Sequence, residues 1–444
     1  MKRAFCIAIL AILALQPFTS FAFPSGEVSE EKPPISGTWH GVLHLNSLKL
    51  NLVLHLDGDS TCTLDSPDQG AKDIAGVVKE LTAEKINVQF PMLLATYTGE
   101  LKDGQLVGTF KQRDFTLPLT LTPGDLVRSR PQTPTPPFPY ETREVTIPLS
   151  TGENKGGATL AGTLTLPTAF GKGKATLCLL LVSGSGLQDR DETLFDHKPF
   201  AVIADYLARH GIATLRYDDR GFGQSTGDPS LCTTADFAQD AAACIAFLRS
   251  TPLLKGGKGG KLHIGILGHS EGGSIAFMLA AGSKFLTPNS KHQTKPDFIV
   301  TLAAPGIRGD TLIVEQANAI LRQTGQPANM TVKRMHLTMA MQPQNPWYDF
   351  FTAYDPADDI AATRCPVLAL NGSLDCQVLP QSNLTAIRHL SAQNSKLSTK
   401  EYPGLNHLFQ HATTGDPAEY GMIEETISEE VLRDIVDWIS SLKF

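Results

Sequence analysis

Two domains of different class are predicted: a small all-β domain, then an α/β domain on a mostly parallel sheet with a helical cap inserted late in the chain. Three observations carry this. Residues 37–122 alternate in short strand-like runs, separated by turn pairs such as Asp57-Gly58 and Asp103-Gly104, with no helical period between them. Beyond residue 143 strand-like and helix-like segments alternate, the signature of a parallel sheet. Between the two textures lies "RPQTPTPPFPYETRE", whose five prolines favour an extended, semi-rigid spacer. The length of 444 residues, beyond the usual size of one domain, agrees.

The β domain is bounded at residues 34–124. Its runs "LNLVLHLDGD", "INVQFPM", "ATYTGELKDGQLVGTFKQ" and "FTLPLTLT" suit an antiparallel sandwich or barrel. "GTWHG", residues 37–41, has the look of a lipocalin-like ligand binder, but a single glycine–tryptophan pair is more simply a packing feature. The proline-rich linker covers residues 125–142.

The α/β domain covers residues 143–444. Its strand candidates are "REVTIPL", "ATLAGTLTLP", "ATLCLLLVSG", "IATLRYD", "HIGILG", "FIVTLAAPG" and "CPVLALNG". Their near-continuous apolar character fits burial on both faces. Helices are expected around residues 200–210, 234–250, 272–282, 380–392 and 427–442, with a cap of two or three helices at about 308–360. "KGGKGGK", residues 255–261, reads as a surface loop.

Composition excludes several functions. A net charge of −7 with no basic cluster gives no nucleic-acid footprint. Lys2 and Arg3, the apolar run 4–15 and the small residues of "SFA" form a secretory signal over residues 1–22, too short to span a bilayer. An exported protein, periplasmic or extracellular and without a membrane span, is therefore expected. Of seven cysteines, Cys62, Cys178, Cys232, Cys244, Cys365 and Cys376 lie beyond that signal. Their irregular spacing, with no CxxC pair, predicts no metal site and no cofactor.

One stretch carries chemistry. In "KLHIGILGHSEGGSIAFMLAAG" a short apolar strand turns directly into a helix of small residues, with Ser270 at the turn and Gly268 and Gly272 two places either side. Such a turn holds its apex residue in a strained conformation and projects the side chain into a cleft. The following helix N-terminus aims free N–H groups at the same spot. GxSxG alone arises about 0.15 times by chance in a chain this long; its setting between strand and helix is what makes Ser270 a nucleophile.

A serine hydroxyl needs a base to take its proton, and the base needs an orienting acid. In a sheet of this order the partners follow as acid, then histidine. Asp375, in "LALNGSLDCQV", stands just past a strand end. His407, in "YPGLNHLFQ", follows another short strand and precedes the final helix. His411 shares the loop but is the weaker candidate, and Asp355, Asp358 and Asp359 fall in the cap or its exit. Two backbone N–H groups should form the oxyanion hole: that of Glu271, directly after the nucleophile, and that of Ser185, in "VSGSGLQDRDE" after the third strand, with Gly186 next. Asp189, Arg190 and Asp191 read as a bracing ion-pair network, as does "YDDRGFGQS".

Together "GHSEGG", "SGSGLQDRDET", "RYDDRGFGQSTG", "CPVLALNGSLDCQV" and "GLNHLFQ" resemble the secreted EstD-type bacterial carboxylesterases of the α/β-hydrolase superfamily, which also carry a β-rich N-terminal region. The resemblance covers residues 143–444 well and the first domain loosely. It implies Ser270 as nucleophile, Asp375 as acid and His407 as base. Ser183-Gly184 departs from the His-Gly of many α/β-hydrolases, but the donor there is a backbone amide.

The expected function is a serine esterase acting through an acyl-enzyme on small-molecule esters of short to medium acyl groups. Alternatives are a peptidase or thioesterase on the same fold, a polysaccharide deacetylase whose β domain holds an acylated glycan, and a non-catalytic binding protein. The acyl preference rests on the cap, where Met330, Met335, Met339 and Met341 precede Trp347, Tyr348, Phe350 and Phe351; methionine suits an adaptable acyl site.

Overall fold

The computed structural model describes residues 35–444, apart from 46–47, 57–60, 70, 114, 150–157, 169, 171–174, 252–253, 255–260, 287–293, 324 and 342. The expected signal segment and all but the last residue of the expected "KGGKGGK" loop lie outside the described residues. The chain divides into two compact units, Met1–Ser129 and Arg130–Phe444.

In the first unit eight antiparallel strands close into a barrel in sequence order: β1 (Gly37–Leu45), β2 (Leu48–Leu56), β3 (Thr61–Ser66), β4 (Ala71–Leu81), β5 (Lys85–Phe90), β6 (Ala95–Lys102), β7 (Gln105–Gln112) and β8 (Phe115–Pro123). β1 pairs with both β2 and β8, which leaves the sheet no open edge. The interior follows the two-residue period of a strand: Leu50, Leu52, Leu54 and Leu56 point in from β2, and Ile86, Val88 and Phe90 from β5. Trp39 of "GTWHG" lies in this core. Strand β4 has no clean alternation to read, because its register shifts between Val78 and Glu80 and its apolar Ile74, Val78 and Leu81 are only half-buried.

The second unit is an α/β-hydrolase fold. Strands β9 (Glu141–Pro148), β10 (Thr159–Leu166), β11 (Ala175–Val182), β12 (Ala213–Tyr217), β13 (Lys261–His269), β14 (Phe298–Leu302), β15 (Val367–Gly372) and β16 (Leu397–Tyr402) form one sheet, in the order β16-β15-β14-β13-β11-β12-β10-β9. β10 runs antiparallel to its neighbours β9 and β12; every pairing from β12 to β16 is parallel. Helices α1 (Pro199–Arg209), α2 (Thr234–Ser250) and α3 (Glu271–Ala281) alternate with the strands, and four more, α4 (Gly309–Gln323), α5 (Val332–Met339), α6 (Pro346–Ala353) and α7 (Ala357–Ala362), fill the insertion. α8 (Pro380–Leu390) and α9 (Glu429–Ser441) complete the unit.

Strand β11 shows why the sheet must be covered twice. Cys178 and Leu180 join a core with Ala241 and Ile245 of α2 and Phe277 of α3, whereas Leu179 and Leu181 join one with Ile203 of α1 and Ile435 of α9. Successive residues point to opposite faces, so an all-apolar strand demands helices on both. Ile360 of α7 is fully buried in the first of these cores, so the insertion returns to the body before residue 362. Among the described residues no helix is long and apolar enough to cross a membrane.

Part of the proline-rich segment is anchored within the second unit. The Arg130 guanidinium donates to the carbonyls of Phe195 (2.8 Å), Gly421 (2.8 Å) and Ile423 (2.9 Å). Gln132 exchanges bonds with the backbone of Thr426 and Ile427, and Tyr140 Oη donates to Asp205 at 2.8 Å. A fragment starting at Arg130 should therefore be more stable than one starting at Arg143, each lost bond weighing about 0.5–1.5 kcal/mol net. Thermal unfolding of the two fragments checks this; equal midpoints would mean these bonds contribute nothing.

Candidate active site

The turn from β13 into α3 holds Ser270 at φ 52°, ψ −117°, a conformation that costs an L-residue of order 1–3 kcal/mol. Packing enforces it. The Ser270 N–H donates to the Leu302 carbonyl at 2.8 Å, which ties the turn to the end of β14. A Cβ on Gly268 would collide with the Gly272 carbonyl, and one on Gly272 with the Val182 carbonyl at the end of β11. Both positions therefore exclude any side chain.

Asp375 and His407 meet. Asp375 lies in the turn after β15 with a fully buried side chain. Its Oδ1 accepts the amides of Gln377 and Val378, both at 2.8 Å, and its Oδ2 accepts Asn371 Nδ2 at 3.1 Å. The His407 Nδ1 lies 2.8 Å from that same Oδ2. An ionised carboxylate is acceptor-only, so Nδ1 carries the proton and the neutral ring keeps Nε2 as an acceptor. The His407 ring also lies 4.7 Å from that of His269, the neighbour of Ser270, tilted by 48°, and its carbonyl lies 3.1 Å from His269 Nε2.

The competing residues are engaged elsewhere. His411 is exposed and paired with Glu425. Asp355 caps the Ala357 amide, Asp358 is a surface residue facing Lys284, and Asp359 is held by Tyr354 and Ser283.

The loop after β11 passes close to the serine: a Cβ on Gly184 would stand 3.2 Å from Ser270 Cβ. The Gly184 amide is occupied, donating to Glu192 Oε1 at 2.7 Å. The Ser185 and Glu271 amides, expected as oxyanion donors, have no acceptor among the described residues. Asp219 shapes this loop by accepting the Gln188 amide at 2.8 Å, and burial pushes its carboxyl well above the usual range. Arg190 grips Asp218 through two nitrogens and also reaches Glu144 and Thr163. Asp191 pairs with Arg216, and Arg220 with the buried Asp240. These charges brace the loops.

Sequence reasoning assigned Glu271 a role only through its amide. Its carboxylate is buried and accepts Thr234 Oγ1 at 2.6 Å and Trp347 Nε1 at 2.9 Å. Trp347 belongs to α6 and stacks on Phe351 at 5.1 Å, so the cap is fastened to the residue following Ser270. No spacing rule marks that contact, since the partners lie 76 positions apart. The methionine expectation needs correction. Met335 is buried and Met330 and Met339 half-buried, but Met341 is 85% exposed; α5 packs on only one side, so its far end faces solvent.

Residues 197–357 match the family model described as serine aminopeptidase, S33. The chain is 28% identical over 294 residues to Esterase EstD of Thermotoga maritima, covering 63% of this chain and 65% of that relative. Among solved structures it resembles the Pyrococcus furiosus esterase Pf2001 (TM-score 0.44, 14% identity, 71% of this chain and 98% of that one). It also resembles Est1E from Butyrivibrio proteoclasticus with ferulic acid bound (TM-score 0.42, 16% identity, 66% of this chain and 100% of that one).

Burial raises the Glu271 pKa, only partly offset by hydrogen bonds from Thr234, Trp347 and Ser185. A carboxyl raised on folding stabilises most below its unfolded pKa, about 4.3, and this contribution is lost as pH rises through the folded value. The unfolding midpoint of Glu271→Gln minus that of wild type should therefore grow as pH climbs from 4 to 8. A flat difference would show that burial does not strain this carboxylate.

Proposed function

We propose that the chain is a serine esterase that hydrolyses carboxylic esters through an acyl-enzyme on Ser270. The observation that carries this reading is the buried Asp375–His407 pair, at 2.8 Å, joined by ring and backbone to the residue beside a strained Ser270. His407 Nε2 takes the Ser270 hydroxyl proton as Oγ attacks the ester carbonyl carbon. The amides of Ser185 and Glu271 bind the oxygen that becomes negative. The His407 imidazolium, steadied by Asp375, returns the proton to the departing alkoxide. Water then enters, His407 deprotonates it, and the acid is released from Ser270.

The similarity to Esterase EstD supports the ester bond, and the family match to serine aminopeptidases favours a peptidase as second reading. An aminopeptidase needs an open anionic site for a free amine. The carboxylates around Ser270 are all engaged: Glu271 with Thr234 and Trp347, Glu192 with Gly184 and His269, Asp219 with Gln188. Residues 1–22 carry the pattern of an export signal, which supports action outside the cytoplasm.

A fluorophosphonate probe should label Ser270. On nitrophenyl acetate, Ser270→Ala and His407→Ala should each lower kcat about 10^6-fold, and Asp375→Ala about 10^4-fold. Labelling elsewhere, or turnover of aminoacyl nitroanilides above that of esters, would reverse the assignment.

Acyl selectivity depends on the cap. Trp347, held by the Glu271 carboxylate and stacked on Phe351, brings the cap against the residue that follows Ser270, and a cap held so close favours short to medium chains. Turnover across nitrophenyl esters from acetate to palmitate should peak before the long chains and show no jump at an emulsion threshold. A maximum at palmitate would make the enzyme a lipase.

A further inference from the structure

His269 and Glu192 form a buried pair that the proton transfers above do not use. His269, the last residue of β13, has an acceptor at each ring nitrogen: Glu192 Oε1 lies 2.9 Å from Nδ1, and the His407 carbonyl 3.1 Å from Nε2. Both side chains are shielded from solvent, at 9% and 8% exposure. A neutral imidazole donates from one nitrogen only, so a ring that serves two acceptors carries two protons. The same Glu192 oxygen takes the Gly184 amide. One chain of contacts thus joins the loop after β11, the nucleophile turn and the loop bearing His407.

We propose that His269, kept as an imidazolium by Glu192, is a positioning residue that holds the His407 loop against the oxyanion loop, and that its deprotonation shuts the enzyme down at alkaline pH. This rests on the esterase reading of Ser270. The groups facing His269 are Glu192 from the loop after β11, Asp375 from the turn after β15 and His407 from the loop after β16; Asp219, after β12, interacts with the charge of Glu192. Burial works against the cation, but the charge and hydrogen bond of Glu192, together with the His407 carbonyl and the Asp375 charge, outweigh it, and the His269 pKa is raised. A raised histidine keeps its bonds at low pH and loses one as pH rises through its folded pKa. With one proton gone, the ring must release either the His407 carbonyl or Glu192, and the base loop loses its tether.

Glu192→Gln separates charge from shape, because the amide oxygen still accepts from Gly184 and His269. In this variant the alkaline limb of kcat/KM should move down by about one pH unit or more, with the loss in kcat rather than KM. An unmoved limb would overturn the proposal, since a merely structural contact would alter stability and leave the profile in place. Imidazole nitrogen NMR on Ser270→Ala is independent of turnover and of the Glu192 variant. Both His269 nitrogens should be protonated at pH 7 and titrate where wild-type activity falls; a neutral ring at pH 7 would refute the charged pair. A charged His269 in a protein inert to esters and to fluorophosphonate would overturn the esterase reading, and its alkaline role with it, leaving only the pair.

Discussion

Ser270 is held in a backbone conformation that its own residue type disfavours, and the rest of the unit supplies the restraint. Its N–H is fixed by β14, its flanking glycines press on β11 and on each other, and α3 starts at the next residue. Such strain persists only where surrounding packing over-determines it. The parallel sheet does this because β11, β13 and β14 are adjacent and buried on both faces, so none can shift to relax the turn. The three loops that leave these strands at the same end then crowd over one point.

Across the unit, carboxyls are buried at a cost. Asp219, Asp240, Glu271 and Asp359 all have carboxyls raised by desolvation, a burden on the folded state. Each has donors that fix its direction: an amide for Asp219, Arg220 for Asp240, Trp347 and Thr234 for Glu271, Tyr354 for Asp359. Rigid polar supports of this kind keep a site preorganised at the expense of global stability. Glu271 links two scales, because the carboxylate fastening the cap belongs to the residue whose amide is proposed to hold the oxyanion.

The first unit follows a separate logic. Its barrel has a continuous apolar interior and no sheet edge, and the buried Asp68–Arg128 pair, with Asn51 on the same carboxylate, secures the turn after β3. Trp39 contributes to that core, so the feature suggestive of a ligand binder is used for packing.

Local pattern alone determined much of this protein. Period-two alternation marked most barrel strands, near-continuous apolar runs marked the parallel sheet, and two glycines around Ser270 marked the sharp turn, because each depends on residues within a few positions of one another. The order of Ser270, Asp375 and His407 along the chain was equally legible, and the structure brings Asp375 against His407. Tertiary structure decided the rest. Strand β4 is defined by its neighbours across a shifted register, Arg130 and Gln132 by carbonyls nearly 300 residues away, and Glu271 by a tryptophan from the cap. His269 became a link between loops only when folding set Glu192 and the His407 carbonyl at its two nitrogens. These roles come from single contacts between loops, which leave no period in the sequence and exist only once the sheet has set the distances.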